Sequence, residues 1–197
     1  MRVLFAALAT QRLAADYIVM KDDLREKYKI KRRYFGNIVR DEADRNILEN
    51  FMAAYVGCES YFIYRSFGSE ASTRMITEEL LARGKRVLLP RTEGDVIVPV
   101  PYGQLKRGRF GIEEPAGAPY EGAIDVAVVP LLAVNSRGYR LGYGGGYYDR
   151  FLHGKNILKV GLGYRFQLTD EFEEDTWDEP LDEFICERGI FRFGRDE

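Results

Sequence analysis

The sequence predicts a single-domain, layered α/β fold, with a mainly parallel central sheet flanked by helices on both faces. Strand-like apolar segments alternate with helix-like amphipathic segments along the chain, the order typical of such a sheet. Residues Ile124–Pro130 are almost continuously apolar, as expected of a strand covered on both faces. The chain has 197 residues, 46% of them hydrophobic, which matches one domain of generous size. These observations together favour one buried sheet over two small domains.

The first predicted elements are two helices within residues 21–55. Apolar residues such as Leu24 and Tyr28 lie near one stripe of the first helix, and a second stripe runs from residue 47 to residue 55. Asp41 or Asp44 is expected to begin the second helix, because a short polar side chain can accept hydrogen bonds from free N–H groups there.

A β-α-β unit follows. Tyr61–Tyr64 is a short apolar strand, and Arg86–Pro90 is the next one. The helix between them is expected to begin at Ser69 or Ser72 and to end at Gly84. Two strands joined through a helix are predicted to be parallel.

The second half of the chain completes the predicted sheet. Val96–Val100 is extended and contains Pro99, which favours a sheet edge or a loop. Residues 106–122 are rich in Gly and Pro and are predicted to be loop. The remaining predictions are a helix at Tyr147–Leu152 and strands at Ile157–Tyr164, 184–186 and 190–193.

Composition limits the partners that the sequence predicts. A net charge of −2 gives no electrostatic reason to expect nucleic-acid binding. Two cysteines, Cys58 and Cys186, make a disulfide framework improbable and favour a reduced compartment. The only histidine, His153, cannot form a metal cluster alone and is expected at a helix end or on the surface. Composition therefore favours a cytoplasmic protein with no nucleic-acid or membrane partner. We also expect a monomer that acts on small-molecule substrates, although composition does not decide either point.

The first 19 residues have two explanations. Met1–Ala9 has one basic residue and a short apolar stretch, which faintly imitates a signal peptide. Alternatively, Met20 is the natural start and residues 1–19 are an extension. We favour the second explanation, in which residues 20–197 form the α/β domain.

A glycine-rich segment, Arg140–Arg150, carries the strongest functional signal. It reads RLGYGGGYYDR and precedes the predicted helix at Tyr147. Glycine lets a ligand approach main-chain N–H groups, and the start of a helix attracts anions. Arg140 can add a bidentate phosphate contact, and Asp149 offers an oxygen ligand to Mg²⁺. No Gly-Lys-Ser/Thr follows, so this is not a Walker loop; a simple strand-to-helix connection is the alternative.

Five motifs between residues 21 and 184 resemble the 5-formyltetrahydrofolate cyclo-ligase family. The glycine-rich segment, preceded by Val129-Pro130, is similar to that family's signature nearly letter for letter. The other four are Lys21-Asp-Asp-Leu-Arg25, Glu70-Ala-Ser-Thr73, Gly111-Ile-Glu-Glu-Pro115 and Asp178-Glu-Pro-Leu-Asp182. All five motifs occur in the family's order and with spacing that fits the family. A match to five ordered motifs is far more specific evidence than a match to any one of them.

The resemblance implies an ATP- and Mg²⁺-dependent enzyme that converts 5-formyltetrahydrofolate to 5,10-methenyltetrahydrofolate, with release of ADP and phosphate. It implies that Arg65, Glu70 and Tyr148 contact the folate and that Asp149 and Asp178 bind Mg²⁺. Catalytic roles fall to Lys21 and Arg140. ATP would contact Lys21, Arg25, Arg140, Leu141, Gly142, Tyr143, Gly144, Gly145, Gly146, Tyr147 and Tyr148.

Several of these residues have a simpler explanation. Lys21 and Arg25 could form a solvated helix face, and Glu70 could merely favour the start of a helix. Asp178 lies in an acidic stretch in which Glu179 and Asp182 are rival metal ligands. Two other functions also stay open, a non-catalytic nucleotide- or folate-binding regulatory protein and another ATP-dependent ligase or kinase acting on a small acid.

The chain departs from the family pattern after Val129-Pro130. Leu131–Asn135 stands where an aromatic-Asp pair is common. Asn135 can still make the local turn hydrogen bonds of an aspartate, but it carries no charge. Glu114 belongs to the motif at Gly111–Pro115, but the sequence gives it no specific role.

Overall fold

The computed structural model describes residues 20–108 and 111–194. The predicted extension, residues 1–19, lies outside the described residues. Residues 20–34 form helix α1, and Asn37–Tyr55 form helix α2. The other helices are α3 (Arg74–Ala82), α4 (Tyr147–Leu152) and a 3-10 turn at Arg165–Gln167. None of the described helices is both long and apolar enough to cross a membrane.

A seven-stranded sheet forms the centre. Its strands are β1 (Ser60–Ile63), β2 (Arg86–Glu93), β3 (Val96–Pro101), β6 (Val126–Val129), β9 (Leu158–Leu162), β10 (Glu183–Cys186) and β11 (Gly189–Arg192). They lie in the order β11-β10-β9-β6-β1-β2-β3. The five inner strands pair in parallel, and the two edge strands β3 and β11 pair antiparallel. The mainly parallel sheet is thus confirmed.

Both faces of the sheet are covered. Alternate residues of β6 divide between the faces: Val126 and Val128 pack on the side of α2 and α3, and Ala127 and Val129 pack on the side of α4. All four are fully buried. Burial on both faces explains why this strand is apolar at every position.

The segment predicted to be loop, residues 106–122, instead contributes to a hairpin. Strand β4 (Leu105–Arg107) pairs antiparallel with β5 (Glu113–Pro115). The Glu114 carboxylate fixes β5 against β2, accepting hydrogen bonds from the Thr92 amide (3.2 Å) and hydroxyl (2.8 Å). This tertiary contact overrides the low strand propensity of Gly and Pro. It also assigns a structural role to Glu114.

Two predicted helix starts were wrong. Helix α2 begins at Asn37, before Asp41 and Asp44, because Gly36 is extended and breaks the chain there. Arg40 then donates to the carbonyl of Arg32 (2.7 Å), which satisfies the end of α1 and fixes the angle between the helices.

Helix α3 begins after Thr73 rather than after Ser69 or Ser72. The Thr73 hydroxyl donates to the Tyr64 carbonyl (2.7 Å) instead of capping its own helix. This bond ties the end of β1 to the start of α3, so the predicted cap signal was replaced by a tertiary contact.

The loops at the carboxyl ends of the parallel strands meet at one edge of the sheet. Strand β1 leads into the segment that carries Glu70, and β6 leads into a small hairpin of β7 (Ala133–Val134) and β8 (Arg140–Leu141). The glycine-rich loop follows β8 directly. Ligands of such sheets bind beyond the carboxyl ends of the strands, where these loops lie.

Candidate active site

A cleft of about 1440 Å³ lies at this edge of the sheet. Every site residue predicted from the sequence lines it, although these residues come from α1, the loop after β1, the glycine-rich loop and the acidic C-terminal segment (residues 171–183). The predicted set is Lys21, Arg25, Arg65, Glu70, Arg140, Leu141, Gly142, Tyr143, Gly144, Gly145, Gly146, Tyr147, Tyr148, Asp149 and Asp178. The structure therefore brings together residues that are more than 150 positions apart in the chain.

Helix α1 presents a cationic stripe to the cleft side of the fold. Lys21, Arg25, Tyr28 and Arg32 are spaced by four, three and four residues, which places them along one face. Lys21 and Arg32 are only 7% and 4% exposed. Arg25 donates from Nε to the Gly142 carbonyl (3.1 Å). The stripe is thus packed against the site and is not a solvated helix face.

The glycine-rich loop has its carbonyls held and its amides available. Gly144 and Gly146 adopt positive φ values of 91° and 65°, conformations that favour glycine. Guanidinium groups of Arg25 and Arg150 hold the carbonyls of Gly142 and Gly145. Among the described residues, none accepts a hydrogen bond from the amides of residues 144–146. Helix α4 has only six residues, so an anion at this loop would meet the loop amides rather than a strong helix dipole.

Arg140 is tied to Asp149 more directly than the sequence indicated. One guanidinium nitrogen pairs with Asp149 Oδ1 (2.7 Å), and the other donates to the Glu179 carbonyl (2.8 Å). The Glu179 amide donates to the same Oδ1 atom (3.2 Å). Within the described ranges no group donates to the other oxygen, Asp149 Oδ2, so this oxygen is left to bind a ligand.

Asp178 lies beside the N-terminal lysine. Lys21 Nζ is 2.6 Å from Asp175 Oδ2 and 3.7 Å from Asp178 Oδ2. Burial raises the pKa of the Asp178 carboxyl, and the nearby charges of Asp149 and Asp175 raise it further, against the opposing effect of an amide hydrogen bond and of Lys21. A cation bound here would favour the charged form of Asp178.

These two carboxylates fit Mg²⁺ by their chemistry. The charge of Asp149 acts on Asp178, and each of the two residues has an oxygen to which no described residue donates. No cluster of three or more His, Cys, Asp or Glu ligands occurs in residues 20–108 and 111–194. Mg²⁺ needs no such cluster, since it is commonly held by one or two carboxylates together with waters and substrate phosphates.

The rival acidic residues are engaged elsewhere. Glu179 accepts hydrogen bonds from Lys159 Nζ (2.9 Å), and its other oxygen lies 2.8 Å from His153 Nδ1. Burial would raise the pKa of Glu179, but these contacts outweigh it and hold the pKa below its usual value. Asp182 binds the Lys159 amide (2.7 Å). His153 follows α4 and is exposed, as its sequence position indicated.

The other end of the cleft is built around Glu70. Its Oε2 accepts the Phe67 amide (2.8 Å), and its Oε1 accepts the Tyr143 hydroxyl. Burial raises the pKa of Glu70, opposed by these hydrogen bonds and by the charge of Arg32. Both oxygens are thus engaged by Phe67 and Tyr143, and neither accepts a hydrogen bond from the first turn of α3 within the described residues.

The remaining folate-side predictions differ in burial. Arg65 is exposed and forms an ion pair with Glu113 of β5. Tyr148 is well packed, its ring 6.2 Å from that of Phe62, and burial raises its pKa. Arg65 thus lies at the exposed rim of the cleft, and Tyr148 is packed into its wall.

Asn135 fills its turn as predicted. Its Oδ1 accepts the amides of Arg137 (3.1 Å) and Tyr139 (2.9 Å). It is 1% exposed and shapes the β7–β8 hairpin. The substitution of a neutral amide for a carboxylate thus keeps the local geometry.

Sequence reasoning missed three contributors to the site. Arg32 donates to Tyr143, Asp175 binds Lys21, and Glu179 supplies main-chain groups to Arg140 and Asp149. Arg32 continues the spacing of Lys21 and Arg25, a signal that could have been found. The other two depend on how the acidic segment folds back.

Fold and site together define an α/β enzyme-like protein in which a glycine-rich loop lines a cleft beside a pair of acidic residues. The chain belongs to the 5-formyltetrahydrofolate cyclo-ligase family, whose model matches residues 18–187. It is 33% identical over 137 residues to the 5-formyltetrahydrofolate cyclo-ligase of Haemophilus influenzae, covering 60% of this chain and 71% of that protein. Identity to the enzyme of the same name from Mycolicibacterium smegmatis is 34% over 146 residues, covering 68% and 75%.

Solved structures agree with this assignment. The 5,10-methenyltetrahydrofolate synthetase of Aquifex aeolicus superposes with a TM-score of 0.77 at 31% identity, covering 90% of this chain and 96% of that one. The synthetase of Mycoplasma pneumoniae gives 0.69 at 27% identity, covering 85% and 98%.

Proposed function

We propose that this protein is a 5-formyltetrahydrofolate cyclo-ligase, which uses ATP to close 5-formyltetrahydrofolate to 5,10-methenyltetrahydrofolate. The observation that carries the proposal is that one cleft unites three features: the Asp149 and Asp178 carboxylates, Glu70, and between them a loop whose amides have no acceptor among the described residues. A cleft of about 1440 Å³ can hold two ligands, since sites for one drug-sized ligand are commonly about 300–1,000 Å³.

The first chemical step makes the formyl oxygen a leaving group. That oxygen attacks the γ-phosphorus of ATP, the bond to the β-phosphate oxygen breaks, and ADP leaves. The product is a phosphorylated imidate. This step needs alignment and charge neutralisation more than a protein nucleophile. The amides of residues 144–146 and the cations Lys21 and Arg25 are suited to hold the phosphates.

The second step closes the ring. N10 of the folate attacks the activated formyl carbon and loses its proton, and the formyl oxygen departs with inorganic phosphate. Glu70 accepts N–H groups of the pterin and orients the folate for this attack. Tyr148 forms the wall beside it.

Asp149 and Asp178 are the residues that would hold Mg²⁺. When bound, the ion neutralises phosphate charge and orients the nucleotide. Arg140 holds Asp149 in place through the 2.7 Å ion pair. The same guanidinium lines the cleft, where a phosphate oxygen would join Asp149 and the Glu179 carbonyl as a third partner.

The family supports catalysis over a non-catalytic binding protein, because the charged residues expected to act on ATP are all present and meet in one cleft. Both substrates are small and water-soluble, which fits a cytoplasmic enzyme without a nucleic-acid or membrane partner. Glu70 favours a folate over a generic small acid, since a carboxylate complements N–H donors rather than another anion.

The direct test is the absorbance of the product at its long-wavelength band. Full-length protein is mixed with 5-formyltetrahydrofolate, ATP and Mg²⁺ at neutral pH, and parallel reactions leave out ATP or Mg²⁺. We expect a rise that needs both. Ligand binding without a rise would identify a binding protein, and ATP consumption only with other acids would identify a different ligase or kinase.

A further inference from the structure

Arg32 is a buried cation with an unusual set of partners. It is 4% exposed, yet no carboxylate in the described part of the chain pairs directly with its guanidinium. One nitrogen donates to the Leu131 carbonyl (3.1 Å), and the other donates to the Tyr143 hydroxyl (2.7 Å). Its buried Nε has no hydrogen-bond partner among the residues that the structure describes.

Burying Arg32 in this way lowers the stability of the folded protein. A buried guanidinium without an adjacent anion loses hydration that hydrogen bonds to neutral groups replace only in part. The compensating charge is the Glu70 carboxylate, which Arg32 reaches through the Tyr143 hydroxyl. This hydroxyl accepts a hydrogen bond from Arg32 and donates one to Glu70 Oε1. The guanidinium and the carboxylate thus form a charge pair bridged by a phenol.

The bridge has a defined place in the loop. Tyr143 lies between Gly142, which Arg25 holds, and Gly144, whose φ of 91° favours glycine. Helix α1 therefore fixes the loop at two adjacent residues. The side chain of Tyr143 is consequently directed to the Glu70 end of the cleft and away from the carboxylate pair.

We propose that Tyr143 and Arg32 are positioning residues that fix the Glu70 carboxylate for the folate. This inference rests on the proposed function, because it assigns their effect to the folate end of the cleft. Tyr143 acts by its hydroxyl, and Arg32 acts through Tyr143. The side chain of Tyr143 therefore serves the folate rather than the ATP with which its loop is associated.

The Tyr143 hydroxyl also affects the pKa of Glu70, and so the pH below which this carboxylate loses its charge. The carboxyl interacts with Tyr143, Arg32, Tyr64 and Tyr148, and burial raises the pKa of each of the three tyrosines, so all are neutral at working pH. The Tyr143 hydrogen bond lowers the pKa of Glu70 against desolvation. Removing it raises that pKa, so the carboxylate is lost at a higher pH as the solution is acidified.

The test is Tyr143→Phe, which removes one hydroxyl from a half-exposed ring. We expect the KM for 5-formyltetrahydrofolate to rise about tenfold, the loss expected for one charge-assisted hydrogen bond. The KM for ATP should change less than about twofold, and the acid limb of kcat/KM should move to higher pH. Tyr34→Phe, at an 81% exposed tyrosine of α1, is the matched control.

A double-variant comparison checks that Tyr143 acts through Glu70. In the Glu70→Ala background, which has no acceptor for the Tyr143 hydroxyl, adding Tyr143→Phe should leave the folate KM unchanged. Equal effects of Tyr143→Phe in both backgrounds would overturn the proposal. An ATP KM that rises as much as the folate KM would overturn it as well, since the hydroxyl would then support the nucleotide loop.

A measurement without turnover separates this inference from the proposed function. The carboxyl ¹³C signal of Glu70 is titrated by NMR in the wild type and in Tyr143→Phe, without substrates. An unchanged titration midpoint refutes the positioning role even if the enzyme is active. Absence of ring closure in the wild type refutes the proposed function, and the shift in midpoint still decides whether Tyr143 supports Glu70.

Discussion

The two ends of the cleft hold charge in opposite ways. The acidic end contains direct ion pairs between side chains that are packed into the protein. Its charged residues are Lys21, Arg140, Asp149 and Asp178. At the other end, Arg32 and Glu70 are separated by the Tyr143 hydroxyl. The glycine-rich loop joins the two ends.

This difference teaches what each end is suited to bind. Direct pairs use one oxygen of each carboxylate and leave the second for an ion or a phosphate-bound metal. In the bridged pair, the Tyr143 hydroxyl orients the Glu70 carboxylate, while the Arg32 cation stays too far away to neutralise it. The carboxylate can therefore still accept hydrogen bonds from neutral N–H donors. The comparison predicts that changes at the acidic end affect Mg²⁺ and nucleotide, and that changes at the Glu70 end affect folate.

The largest effect is expected from Asp149→Asn. The amide oxygen can still accept from Arg140, so the fold should persist, but the charge offered to Mg²⁺ is lost. We expect kcat to fall by at least about a hundredfold, which corresponds to a few kcal/mol of lost charge stabilisation. Steady-state rates over a range of Mg²⁺ concentrations test this, with the exposed Asp41→Asn as control. Wild-type turnover of the variant would exclude Asp149 as a metal ligand.

An intermediate effect is expected from Arg140→Lys. An ammonium group cannot bridge Asp149 and the Glu179 carbonyl with fork geometry, so Asp149 becomes loosely held. The rate should drop about tenfold or more, with a higher Mg²⁺ requirement and an unchanged folate KM. Arg45→Lys, on the exposed side of α2, provides the control. A change confined to the folate KM would contradict the division between the two ends.

The smallest effect concerns Trp177, the only tryptophan in the chain. It lines the cleft between Asp175 and Asp178 and is 70% exposed. Binding of ATP with Mg²⁺ should change its fluorescence, whereas folate alone should not. Trp177→Phe should abolish the signal and alter rates by less than about threefold, as for other surface changes. A signal that follows folate instead would place the folate at the acidic end.

Much of this fold was predictable because its signals are local. The continuous apolar run of β6 and the helix-strand alternation reflect burial of a parallel sheet, and the structure confirms both. The β4–β5 hairpin was not predictable, because Glu114 stabilises it by binding Thr92, which lies 22 residues earlier. The start of α2 likewise depends on Gly36 and on Arg40 binding the end of α1.

For the candidate site, too, some features were predictable from the sequence and others were not. Its residue types and their spacing, including Lys21, Arg25 and the glycine-rich loop, were readable in the sequence. The partner of each charge was not. Asp175 and Glu179 belong to an acidic run in which all members look alike, and only the folded chain decides which carboxylate faces Lys21 and which faces Lys159.

The sequence by itself determined the fold class, the family and the membership of the cleft, because apolar periodicity and glycine placement act through neighbouring residues. Only the tertiary structure decided that Arg140 holds Asp149 and that Tyr143 joins Arg32 to Glu70. Such pairings depend on distances of about 3 Å between segments far apart in the chain, and no local pattern fixes those distances.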